Sequence, residues 1–164
     1  KSTRPDHFNA ARRREGDGMN RADRAVSIHK AGFNCAQSVF SVFAPELGLE
    51  MGAAARTATA FGGGIARSGA TCGAVTGALM AIGLRYGNGG PEDKEAKDRT
   101  YGIAREFMRR FEKSRGALAC RELLGCDIGT PEGYAKARGQ GLFDSVCVEL
   151  VRDAVLILEE MLSE

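Results

Sequence analysis

Five cysteines carry most of the chemistry in this 164-residue sequence: Cys35, Cys72, Cys120, Cys126 and Cys147. A thiolate is at once a nucleophile, a redox centre and a soft metal ligand. No two of the five stand in the tight CxxC spacing of a zinc ribbon or a thioredoxin motif, so local spacing alone assigns nothing. Position within the expected elements says more. Cys35 follows a capping Asn34, Cys72 follows Thr71, Cys120 opens a short apolar run, and Cys147 comes early in the last helical pattern. Four cysteines therefore fall in or near the first turns of four expected helices. Unpaired N–H groups and the positive end of the macrodipole favour thiolate over thiol there. The same amides can hydrogen-bond the sulfurs of a cluster. A single cysteine is more often a small, inert core residue. Four in one context, on helix ends able to converge, weigh against that for the set.

The elements that must position them are helical. Around Cys72 the chain reads "FGGGIARSGATCGAVTGALMAIGL" over residues 61–84. Gly62 to Arg67 fails the dinucleotide fingerprint, because Arg67 takes the last position and no strand precedes it. No Gly-Lys-Ser/Thr follows, which excludes a phosphate loop. Gly73 and Gly77 lie one helical turn apart, as do Ala74 and Ala78, giving a smooth face that another backbone can approach. Residues 68–84 carry no charge and reach the lower edge of membrane-spanning length. Their glycines and threonines, among amphipathic neighbours, make this a buried central helix over about 71–86, capped by Thr71 or Ser68. No membrane insertion is expected.

Further helices are expected over about 21–31, ended by Gly32, over "CAQSVFSVFA" from Cys35, with a face of Val39, Phe40 and Phe43, and over 52–61 before the triple glycine. Past Gly89-Gly90-Pro91, a charged helix over 92–114 buries Tyr101, Ala104, Phe107, Met108 and Phe111. "CRELLG" is a short helix ending at Gly125, and a loop with Gly129, Pro131 and Gly133 leads to the last helix, 143–163. There Phe143, Cys147, Leu150, Val151, Ala154, Leu158 and Met161 repeat at helical spacing. Strand-like alternation is absent. The fold class is all-α, a compact helical bundle with a central Gly/Ala-rich helix.

Residues 1–18 read as a flexible polar tail and 19–164 as one domain of a size that buries a real core. The tail's Arg12 to Arg14 read as solvated. Lys and Arg number 23 against 21 Asp and Glu, a net charge of +2 that gives no electrostatic case for nucleic acid. The odd cysteine count and the lack of a visible secretory signal disfavour structural disulfides and place the expected setting in the cytoplasm.

"NCAQSVF", "GGGIARSGATCGAVTGALM", "CRELLG" and "LFDSVCVELVRDAVLILEEML", in this order, resemble the redox-active C_GCAxxG_C_C family. Its CGAxxG motif is matched by Cys72-Gly73-Ala74-Val75-Thr76-Gly77, and the resemblance covers roughly residues 20–162. A similar cysteine domain is fused to haem modules in split-Soret cytochromes, where it is associated with an iron–sulfur centre. By position the resemblance carries over Cys35, Cys72, Cys120 and Cys147 as the four family cysteines. Cys126 falls outside the pattern.

The leading reading is an electron-transfer or redox-sensing protein with an iron–sulfur site, [2Fe–2S] for preference, held by Cys35, Cys72, Cys120 and Cys147. Gly73 would let backbone amides approach the cluster. A redox partner protein is then expected, and a homodimer is admitted. One alternative is dithiol/disulfide chemistry, with Cys120/Cys147 or Cys120/Cys126 as pairs. Another is a structural zinc domain, disfavoured because a helical core of this size does not need zinc to fold. His29, six residues before Cys35, would approach the site only if the turn at Gly32 folds back, and it is expected to face solvent. Arg67 either offsets the charge of four thiolates or is simply exposed. No paired carboxylates sit in an apolar setting, so hydrolase chemistry has no support.

Overall fold

A computed structural model describes residues 18–164. The expected tail, with His7 and Arg12 to Arg14, lies outside these residues except for Gly18. Among the described residues, eight stretches form α-helices: α1 Arg21–Lys30, α2 Cys35–Phe43, α3 Met51–Ala58, α4 Gly73–Tyr86, α5 Lys94–Arg115, α6 Cys120–Leu124, α7 Pro131–Gly139 and α8 Leu142–Ser163. No strand is present among the described residues, only an isolated bridge between Thr71 and Ala119. The protein is all-α, as its periodicity implies.

Local chemistry starts most of these helices. The side chains of Asn20 and Asn34 accept the N3 amides of α1 and α2, and Asn34 and Gln37 form a reciprocal capping box. Glu50 and Asp93 cap α3 and α5, and left-handed Gly116 and Gly125 end α5 and α6.

Helix α4 is central, packing against α2, α5 and α8, while α1 packs on α2 and α8. It is buried from Gly73 through Ala78 and again at Ala81 and Ile82. The close approach runs along α2. A Cβ on Gly77 would sit 2.6 Å from the Ala36 carbonyl oxygen, and one on Gly73 would sit 3.1 Å from the Cys35 Cβ. The two glycines thus set the spacing between the helices that carry Cys35 and follow Cys72. Helix α2 is buried nearly all round, beyond the expected stripe of Val39, Phe40 and Phe43. Fully buried Phe107, Phe111, Ile82 and Leu158 fill the far side of the core, each stabilising by about 1.5–3 kcal/mol through lost apolar exposure.

Three local expectations are corrected. Neither Thr71 nor Ser68 caps the central helix: Cys72 itself is the N-cap, and Thr71 is taken by the bridge to Ala119. Tyr101 is 52% exposed, outside the buried stripe, with Lys97 over its ring. The segment read as a loop around Pro131 is helix α7, capped by the Thr130 hydroxyl on the Gly133 amide, with Pro131 in the first turn.

Candidate functional site

Cys35, Cys72, Cys120 and Cys147 are all buried, and all four line one cavity of about 570 Å³. Each comes from a different place in the chain. Cys35 opens α2 and Cys120 opens α6, Cys72 caps α4, and Cys147 sits one turn into α8. Cys126 is only half-buried and does not line the cavity. The expected set is brought together, and the expected outlier is left out.

The four fall into two pairs. Thr71 bridges Ala119, the Cys72 amide donates to the Leu118 carbonyl at 2.8 Å, and the Cys120 amide donates to the Ala70 carbonyl at 2.7 Å. Side chains alternate along such a ladder, so Cys72 and Cys120, each one residue past its bridge partner, project to the same face. Arg121 braces this junction by donating to the Ser68 and Gly69 carbonyls. The second pair is Cys35 and Cys147, whose thiols lie close enough to shift each other's acidity. This contact differs from the dithiol pairs expected from sequence order, Cys120 with Cys147 or Cys126.

A segment of unusual backbone walls the cavity. Gly63, Gly64, Ile65, Ala66 and Arg67 are all left-handed, with φ of 64°, 51° and 63° at the three non-glycine residues. Each such residue costs about 1–2 kcal/mol. Hydrogen bonds from the Ala66 amide to the Ala60 carbonyl, Gly69 to Gly63 and Ala70 to Gly64 hold the turn in place. Gly64 packs so closely that a Cβ there would lie 2.7 Å from the Cys120 Cβ. Arg67, exposed at the rim, lays its guanidinium 4.7 Å from the centre of the Tyr134 ring. Tyr134 in turn packs on Phe143, their centroids 5.5 Å apart.

Burial governs the thiols. It pushes Cys72 up to about 11 even though the Ala74 and Val75 amides favour its thiolate, without closing a capping hydrogen bond. Burial also pushes Cys120 up to about 12, helped by the negative charge of neighbouring sulfurs. Contact with Cys147 and burial raise Cys35 well above the ordinary range, while the same contact lowers Cys147. The helix-terminus effect expected from the sequence is therefore outweighed at Cys72 and Cys120, where desolvation of the charged form dominates. In metal-free protein Cys35, Cys72 and Cys120 therefore hold their protons near neutral pH, and metal binding must displace them.

A stability consequence follows from the sign of the shift. An unfolded chain releases its thiol protons near the ordinary value of 9.0, while Cys72 keeps its own to about 11. Over that interval the folded state binds more protons, so stability falls as pH rises. Reduced, metal-free protein should lose on the order of 2 kcal/mol or more between pH 9 and 11. Thermal unfolding across this range, in wild type and Cys72→Ala, checks it: the variant should show a shallower decline.

No three His, Cys, Asp or Glu side chains among the described residues gather closely enough to hold one metal ion. The donor set nonetheless fits an iron–sulfur cluster in type and number, with four buried thiols and no carboxylate among the cavity-lining residues. His29 corrects an expectation. The turn at Gly32, with φ of 105°, does fold the chain back, and His29 lines the cavity instead of facing solvent. Tyr134 is hidden in the sequence because a stretch with Gly129, Pro131 and Gly133 reads as a loop. The Thr130-Pro131 pair, an N-cap followed by proline at N1, was the available signal.

A family model described as "Putative redox-active protein (C_GCAxxG_C_C)" matches residues 33–161, a span that includes all four cavity cysteines. No curated protein and no solved structure matches the chain. No described helix is long and apolar enough to cross a membrane.

Proposed function

The chain belongs to the redox-active C_GCAxxG_C_C family, and from that premise we propose that Cys35, Cys72, Cys120 and Cys147 hold a [2Fe–2S] cluster in an electron-transfer or redox-sensing protein. The observation that carries this reading is the convergence of four buried thiols on one cavity as two pairs. Two irons, each taking two thiolates, is the ligand count of such a cluster. Bound there, it would supply one-electron transfer.

The chain's own residues do the rest. The Thr71–Ala119 bridge fixes the Cys72/Cys120 pair, and the packing of α2 against α4 places Cys35. Gly73 leaves the wall beside Cys72 without a side chain, so backbone can stand close to the sulfurs. Phe33, Phe143 and Leu150 keep the inner wall apolar. Arg67 stands at the rim, where its charge opposes that of four thiolates. The reading is tested by paramagnetic resonance after dithionite reduction. A signal from one unpaired electron per cluster is expected, and its absence from iron-loaded protein would count against the cluster.

The Cys35–Cys147 contact favours a second reading, dithiol/disulfide exchange. The two thiols would give two electrons and two protons to an incoming disulfide, forming one S–S bond here and releasing two thiols there. Intact mass after oxidised glutathione distinguishes the two. A loss of two hydrogens mapped to Cys35–Cys147 in metal-free, freshly isolated protein favours exchange.

A further inference from the structure

The turn that walls the cavity also has an outer side. Phe61 is 37% exposed and Ile65 42%. The Ala66 amide closes on the Ala60 carbonyl at 2.8 Å, so these two large apolar side chains stand on one short loop. Ile65 is β-branched with φ of 64°, a conformation that such a residue almost never adopts. Burial does not repay that strain, because much of the side chain is in water. Strained backbone gathers at functional sites, and exposed apolar patches with polar surroundings mark docking sites.

The inner side of the same turn reaches the sulfurs. A Cβ on Gly64 would lie 2.7 Å from the Cys120 Cβ, and one on Gly73, next to Cys72, would lie 3.3 Å from the Phe61 carbonyl oxygen. One peptide unit therefore separates exposed Ile65 from the backbone that packs on Cys120. The charge of this wall has one sign. No Asp or Glu occurs between Glu50 and Glu92, and the cavity lining includes Arg67 and no carboxylate. Arg67 is exposed, lies over Tyr134, and has no ion pair among the described residues. Asp127, beside Gly69, is offset by Arg121, whose Nη1 stands 3.9 Å from its carboxylate.

We propose that the turn over residues 61–67 is the docking surface for a small electron-carrier protein, which meets Phe61 and Ile65 with an apolar patch and Arg67 with a surrounding acidic face. The partner's role as a carrier rests on the cluster reading. One electron then passes through the turn, the carrier being oxidised as the cluster is reduced or the reverse, with no bond made or broken. A loop of this size offers a small, transient interface of the kind that redox encounters use.

The test is calorimetric titration of the full chain, isolated without oxygen, with a flavodoxin chosen for its acidic surface and with cytochrome c, a basic carrier. Ile65→Asn removes the apolar contact, and asparagine tolerates left-handed backbone better than isoleucine. Arg67→Glu reverses the charge. Leu156→Ser is the control, because Leu156 is 48% exposed but lies off the cavity, about two and a half turns past Cys147 on α8. Wild type should bind flavodoxin and not cytochrome c, and more weakly as salt is raised. Binding should weaken about tenfold in Arg67→Glu and about fivefold or more in Ile65→Asn. The Tm of Ile65→Asn should be unchanged or raised, and Leu156→Ser should bind as wild type does. Should Ile65→Asn unfold, Arg67→Glu and the salt dependence still decide. Tighter binding of cytochrome c than of flavodoxin overturns the inference, and so does equal binding by wild type and Arg67→Glu. Either result on iron-loaded protein leaves the cluster standing. Flavodoxin held at this turn by protein without iron instead overturns the cluster and keeps the docking surface.

Discussion

If the cavity holds the proposed cluster, serine in place of Cys35, Cys72, Cys120 or Cys147 should strip the protein of metal, and Cys126→Ser should not. A hydroxyl is a hard, weakly acidic donor, so each of the four substitutions should lower occupancy on the order of tenfold or more for a thiophilic centre. The four are buried on one cavity, whereas Cys126 stands off it, half-exposed beyond the end of α6. Iron, zinc and sulfide analysis of the five variants, each checked for native helicity, measures this. Loss of metal in Cys126→Ser with retention in Cys120→Ser would overturn the ligand assignment.

The second large effect separates packing from ligation on one helix face. A Cβ on Gly77 would meet the Ala36 carbonyl at 2.6 Å, with the Ala36 Cα and the Val39 Cβ both at 3.1 Å. Gly77→Leu therefore forces α2 and α4 apart, at a cost of about 1–3 kcal/mol or more. For a protein of this size that is a fall in Tm of roughly 2–12 °C, read on metal-free protein. Gly73→Leu meets the Ala36 amide at 3.0 Å and the Cys35 Cβ at 3.1 Å. It should displace Cys35 and lower metal content even in molecules that remain folded. Thermal unfolding alongside metal content distinguishes them. Small, equal losses in both variants would mean that this face is not the close-packed seam described.

Much of this architecture is legible in the sequence, because its signals are local. Asn34 with Gln37, Gly116 and Gly125 punctuate helices by side-chain or backbone chemistry that no distant contact overrides. The small-residue face of Gly73 and Gly77 reads directly as close approach. The four cysteines are legible as a set because helix ends can converge, and the family motif around Cys72 points the same way. What the sequence hides is set by tertiary contacts. The pairing of Cys72 with Cys120 depends on a bridge between Thr71 and Ala119, 48 residues apart by their numbers, and no local pattern encodes it. The left-handed run through Ile65, Ala66 and Arg67 opposes their intrinsic preferences and exists only because surrounding backbone bonds hold it. A lone histidine near a helix end usually faces solvent, and only the fold of the Gly32 turn reverses that for His29. Thiol acidity is hidden for a related reason. Helix position is visible in sequence, while the burial that outweighs it is not.

If these four thiols are the seat of a cluster, the composition of the protein as isolated without oxygen reports it. The isolated protein should be brown, with about two irons and two acid-labile sulfides per chain and visible absorption bleached by dithionite. Colourless protein that holds about one zinc per chain, or that holds no metal and cycles between thiols and a disulfide, would contradict it.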